Sequence, residues 1–145
     1  WLGAQAKLAA CDARNLEKCF VGQKFDGIAA EAFLGAPLKG HENDTDLKKS
    51  ADDLKKLYCS ALTAMSRALK PGGKIIFIVP AFRGRGSWIP SLRQADIENL
   101  GLRVLEPYGL NTKPYMQKTK IEKNALTYFR EGQRLARIIF IITAK

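Results

Sequence analysis

Glu31 and Phe33 stand two positions apart at the end of a short apolar run, Gly27-Ile28-Ala29-Ala30. A carboxylate and a ring in such a place are set to meet a ligand. The run is short enough for a strand and has no polar face, which suits a strand covered on both sides by helices. In open α/β sheets, ligands bind outside the carboxyl ends of the strands, where Glu31 and Phe33 would fall. Ala32 and Leu34 complete the tetrapeptide Glu31-Ala32-Phe33-Leu34, and a loop punctuated by Gly35, Pro37 and Gly40 follows. The plainer reading makes Glu31 a solvated loop acid and Phe33 a plug at the top of the core. A second acid, Asp12, sits near the end of the stretch Lys7 to Ala13; its plainer reading is a helix cap or turn former.

The elements that must position these side chains follow from periodicity. Lys7 to Ala13 reads as a short buried strand, and Arg14-Asn15-Leu16 as a turn or short helical segment. Phe25 to Ala30 is the next strand. Asn43-Asp44-Thr45-Asp46 supplies caps and negative charge to a helix start. Leu47, Ala51, Leu54, Tyr58, Ala61, Leu62, Met65 and Leu69 then recur in steps of three and four, one stripe of an amphipathic helix. Pro71-Gly72-Gly73 stops it. Lys74 to Pro80 is a continuous β-branched and aromatic run, hence a buried strand. Arg83 to Trp88 reads as a flexible loop, and a helix is expected from about Ser91 to Leu100, with Pro90 in its first turn. Leu102 to Glu106 is a further strand, and residues 107–126 are a polar, Lys-rich loop. Leu126 to Arg130 and Leu135 to Ala144 form an antiparallel hairpin through Glu131-Gly132-Gln133. The pattern is that of an α/β sheet, mostly parallel, with an antiparallel closing hairpin.

A chain of 145 residues is expected to be one domain. It carries 24 basic and 14 acidic residues, a formal net charge of +10. Residues 83–145 hold 12 basic and 5 acidic side chains, against 12 and 9 in residues 1–82. The later half would therefore face a polyanion, if one is bound. Cys11, Cys19 and Cys59 are odd in number and lack Cys-x-x-Cys spacing, so reduced, buried thiols in a cytoplasmic protein are expected. With His41 the one histidine, no metal site is expected. No apolar run approaches the ~20 residues of a membrane span. The chain starts Trp1-Leu2-Gly3, and the expectation is a piece of a longer protein.

The order of these segments resembles the later part of a Rossmann-like S-adenosylmethionine-dependent methyltransferase. Ala10-Cys11-Asp12-Ala13 looks like that family's strand ending in an acid that accepts from the adenine amino group. Phe25 to Gly35 looks like its catalytic strand and loop, and Leu69-Lys70-Pro71-Gly72-Gly73-Lys74 like the helix end that precedes its next strand. Tyr128-Phe129-Arg130-Glu131-Gly132-Gln133-Arg134 is similar to the closing hairpin of the tRNA guanosine-N2 methyltransferase branch. The resemblance implies S-adenosylmethionine as cofactor, touched by Cys11, Asp12, Ala13 and Glu31. It implies catalysis at Glu31, Ala32, Phe33 and Leu34, and transfer to an exocyclic base amine of RNA, guanine N2 in tRNA. Phosphate and base contacts would come from Arg83, Arg85, Trp88, Lys113, Lys118, Lys120 and Lys123. Related enzymes usually read Asp/Asn-Pro-Pro-Tyr/Phe where this chain has Glu31-Ala32-Phe33-Leu34. Their glycine-rich cofactor loop and ribose-binding acid would precede Trp1, so the first 20 residues are expected to be poorly anchored or unusually paired. Two alternatives remain: a methyltransferase of the same fold acting on DNA or a small molecule, and a non-catalytic nucleic-acid-binding domain.

Overall fold

The computed structural model describes residues 6–107 and 121–144. Its longest helix, α2 (Asp44–Ala68), starts where the Asn43 side chain accepts from the Thr45 and Asp46 amides. The Asp46 carboxylate accepts from the Asn43 amide in return, so both ends of the capping pair are satisfied. Every apolar position of the predicted stripe is buried, from Leu47 through Met65, and Leu69 just beyond the helix is buried too. Short helical turns precede it, a 3-10 helix at Ala13–Asn15 and α1 (Leu16–Cys19), and α3 (Gln94–Asn99) follows later.

Among the described residues six strands form one sheet: β1 (Phe25–Glu31), β2 (Leu69–Arg83), β3 (Trp88–Pro90), β4 (Leu102–Leu105), β5 (Leu126–Tyr128) and β6 (Leu135–Ala144). The main path runs β1-β2-β6-β4, with β3 paired to β2 and β5 to β6. β1 and β2 are parallel, whereas β6 is antiparallel to β2, β4 and β5. β1, β2, β4 and β5 therefore share one direction, as expected of an α/β sheet closed by an antiparallel hairpin. Residues Ile75, Phe77 and Val79 of β2 are buried on the same side as Phe140 and Ile142 of β6 and the α2 stripe. Side chains alternate along a strand, and Ile76, between Ala29 and Ile141 in register, lies on the other face with 43% of its surface exposed.

That difference gives a test of the layering. Ile75→Ala is expected to lose about 2–5 kcal/mol, the usual range for a large side chain removed from a closed core. Ile76→Ala is expected to lose less than half as much, with urea unfolding as the measurement.

Several expectations are corrected. Lys7 to Ala13 is not a strand: residues 7–12 are exposed, Leu8 to 95%, and pair with no strand among the described residues. An isolated strand leaves its backbone groups without partners, and no strand among the described residues flanks this segment to supply them. Asp12 caps the 3-10 helix instead, accepting from the Arg14 amide at 2.9 Å. Cys11 and Cys19 are not reduced, buried thiols but a disulfide, the intervening turns bringing their Cα atoms to 6.1 Å. Cys59 remains free and half-buried. The expected Arg83–Trp88 loop is a tight turn, closed by a Gly84 amide bond to the Ser87 carbonyl, that folds β3 back on β2. Pro90 ends β3 rather than opening a helix, because the Ser91 amide and hydroxyl are both spent on the Pro80 carbonyl. The predicted 107–126 loop lies largely outside the described residues.

Candidate ligand-binding site

β1 ends by handing its ladder to a loop. The Ala32 amide still bonds the Ile78 carbonyl at 2.9 Å, which fixes Glu31 at the carboxyl end of the sheet. Beyond it, the buried Tyr58 hydroxyl donates to the Phe33 carbonyl and ties the loop to α2. Burial pushes the Tyr58 phenol pKa up, so it remains a hydrogen-bond donor. Gly35 turns at φ +92°, and a Cβ there would stand 3.3 Å from Leu54 Cδ1, so glycine is needed on both counts. The Phe33 ring is left 65% exposed above this anchored backbone.

Two of the clefts around the β1 end meet at Glu31 and its partner Arg137. The first, about 230 Å3, is lined by Asp12, Ala13, Ala30, Glu31, Ala32 and Phe33, with Tyr58, Met65 and Phe77 among its apolar wall. The second, about 440 Å3, is lined by the Leu34–Leu38 loop, Gly40 and the β5–β6 turn with Gln133, Arg134, Leu135 and Arg137. Between them Arg137 donates from Nε to Glu31 Oε1 at 2.6 Å. Asp12 is also paired, with Arg14 at 2.6 Å. The Arg14 side chain foremost, then its amide, holds the Asp12 carboxyl down at about 2.

Of the residues singled out in the sequence, Asp12, Ala13, Glu31, Ala32 and Phe33 thus line one cleft. Leu34 lines the second. Cys11 lines neither and is taken up by its disulfide. Arg83 and Trp88 lie at the carboxyl end of β2, the same edge of the sheet as Glu31, with the guanidinium 5.1 Å from the indole ring centroid, and Trp88 packs on Phe129 at 5.3 Å. Arg85 is exposed, its amide bonded to Asp44 Oδ1 at 3.0 Å. Lys123 is exposed and lines neither cleft. Lys113, Lys118 and Lys120 lie outside the described residues. Arg134, Arg137 and Glu42 were not anticipated. A signal existed for Arg137: a cation inside the apolar run Leu135 to Ala144 needs a partner.

Glu42 fastens the second cleft. Its carboxylate accepts from the Lys39 and Gly40 amides and from Arg134 Nη1 at 2.8 Å. Its own amide foremost, with these donors, holds the carboxyl at about 2, against the opposing effect of partial burial. A depressed pKa means the anchoring is complete above the ordinary value of 4.5, weakens as pH falls below it, and is lost through about 2. Acidification across that window is expected to lower the hydrogen-exchange protection of the Gly40 amide, its rate being compared with that of an unfolded amide at the same pH, and Glu42→Gln to remove most of that pH dependence.

Among the described residues no helix is long and apolar enough to cross a membrane, and no cluster of metal-ligating side chains occurs. No protein-family model matches the chain, and no curated protein does. Among solved structures, the chain is similar to that of a S-adenosylmethionine-dependent methyltransferase from Clostridium acetobutylicum ATCC 824, at 16% identity and a TM-score of 0.45. The likeness covers 98% of this chain and 66% of that one, so this chain spans just under two thirds of its length.

Proposed function

We propose that this chain is part of an S-adenosylmethionine-dependent methyltransferase acting on an exocyclic base amine of RNA, guanine N2 in tRNA. The observation that carries the reading is the first cleft, where Asp12, Glu31 and Phe33 meet at the carboxyl end of β1. Its apolar wall and two carboxylates suit a nucleoside: rings against Met65, Tyr58 and Phe77, an amino group toward an acid. Its volume lies below the ~300–1,000 Å3 of pockets that enclose a whole ligand, so it suits the nucleoside part of the cofactor. When bound, the cofactor supplies an electrophilic methyl group on a sulfonium.

The chain's own residues then do positioning. Asp12 accepts from the adenine amine in exchange for part of the Arg14 fork, which now donates to both of its oxygens. Glu31 accepts from the acceptor amine and stabilises the positive charge that grows on it. Phe33, held by its backbone and free at its ring, stacks on a base taken out of its helix. The excess of basic residues, including exposed Arg83, Arg85 and Lys123, supports a polyanionic acceptor.

One observation favours a non-catalytic nucleic-acid-binding module instead: both acids are already ion-paired. A calorimetric titration with S-adenosylhomocysteine, on this chain and on one extended upstream, separates the two. Binding to either, weakened about tenfold or more by Asp12→Asn, supports the methyltransferase; no binding to either leaves the module.

A further inference from the structure

The Glu31–Arg137 ion pair is the partition between the two clefts. Glu31 faces the nucleoside-sized cleft, Arg137 lines the larger one, and the single Nε–Oε1 bond joins them. Such a bond uses one of the five guanidinium N–H donors. Among the described residues, neither the terminal nitrogens of Arg137 nor the second oxygen of Glu31 has a hydrogen-bond partner. Arg137 stands on β6, held in register opposite Pro80 of β2 and Tyr128 of β5, so its backbone is fixed from both sides.

The partition therefore presents a donor beside two acceptor oxygens. The order matters. A base edge that fits must offer an acceptor followed by two donors. Guanine does, with O6, N1–H and the N2 amine. Adenine and cytosine offer a donor first with acceptors after it, and uracil alternates. We propose that Arg137 is the specificity-determining residue of this site: it selects guanine through O6 while aligning the Glu31 carboxylate with N1–H and N2. The inference rests on the methyltransferase reading above and adds to it that the larger cleft, which Arg137 lines, receives the methyl acceptor. It goes beyond that reading by assigning the choice of base to a residue 106 positions from Glu31 in the chain.

The larger cleft has the surroundings such a base needs. Leu34, Pro37 and Leu38 give apolar walls, and Arg134 stays outside the array because Glu42 occupies it. Arg137 thus acts both on the ligand and through Glu31. The two roles are separable: removing the guanidinium abolishes preference for O6, whereas preference for the N2 amine persists in whatever Glu31 retains.

The test is a nuclear magnetic resonance titration of the chain with guanosine, inosine, adenosine and 2-aminopurine riboside 5′-monophosphates. 2-Aminopurine lacks O6 and the N1 proton, and inosine lacks only the N2 amine. The unsubstituted chain is expected to bind the guanosine nucleotide about tenfold or more tightly than the adenosine and 2-aminopurine ones, the scale of one well-formed side-chain-to-base contact. Arg137→Gln is expected to narrow the gap between guanosine and 2-aminopurine nucleotides to what the N1 proton contributes through Glu31, while guanosine stays ahead of inosine. Arg137→Lys keeps the charge and a single donor point, and is expected to restore part of the O6 preference. Equal weakening of all four nucleotides in Arg137→Gln, together with a lowered melting temperature, would mean a structural role and overturn the proposal. So would an unsubstituted chain that binds none of them or does not discriminate. S-Adenosylhomocysteine is titrated alongside, into this chain and one extended upstream: its binding without guanosine preference sinks the Arg137 assignment alone, and guanosine preference without its binding to either sinks the methyltransferase reading alone.

Discussion

Phe77→Ala is expected to remove about 3–5 kcal/mol of folding free energy, the range for an aromatic side chain deleted from a closed core. Phe77 is 1% exposed, lies between Ala30 and Phe140 in the sheet register, and meets Tyr58 edge to face at a ring distance of 5.7 Å. It is thus the point where the central strand, the long helix and the first cleft touch. A small domain has only ~5–15 kcal/mol to lose, so the variant should be substantially unfolded at low urea. The cavity left behind opens beside Tyr58, whose hydroxyl holds the Phe33 carbonyl. S-Adenosylhomocysteine binding is therefore expected to weaken even in the fraction that stays folded. Phe33→Ala is the contrast. Its ring is 65% exposed, so the stability change should fall within about 0.5 kcal/mol, while stacking on a base is lost. If urea unfolding shows Phe77→Ala losing under ~1 kcal/mol, α2 does not pack on β2 as described.

The contrast between these two phenylalanines also marks what was legible in the sequence. α2 could be read to within a residue because twenty-five consecutive residues repeat one period and both ends carry their own stop chemistry. β1 and β2 could be read because unbroken apolar runs have few other uses in a chain of this charge. Lys7 to Ala13 has comparable composition and is no strand, since a strand depends on a neighbour that local composition does not reveal. The Cys11–Cys19 pair escaped for a related reason: a spacing of eight says nothing about Cα distance until the intervening turns are known. The site divides the same way. Asp12, Glu31 and Phe33 could be picked by type and position at an element's end. Arg137 becomes a partner of Glu31 only when β6 folds in beside β2, and no local pattern connects them.

That partnership sets the other large effect. Glu31→Gln is nearly isosteric and exchanges one acceptor oxygen for an amide donor. The Glu31 side chain is 47% exposed and that of Arg137 34%, and pairs of this kind contribute about 0–1 kcal/mol to stability. The melting temperature is therefore expected to move little. Methyl transfer by the complete protein is expected to fall about 10²–10⁴-fold, the usual contribution of a positioned carboxylate acting on a reacting amine. On the proposed mechanism the loss should appear in kcat more than in KM, because the positive charge on the amine exists in the transition state and not in the bound amine. Glu31→Asp keeps the charge but shortens the reach to both Arg137 and the amine, so it should recover part of the rate and not all of it. Single-turnover transfer of a labelled methyl group to tRNA reads the step directly. A Glu31→Gln rate equal to that of the parent would remove Glu31 from the chemistry and leave its pairing with Arg137 as a structural contact.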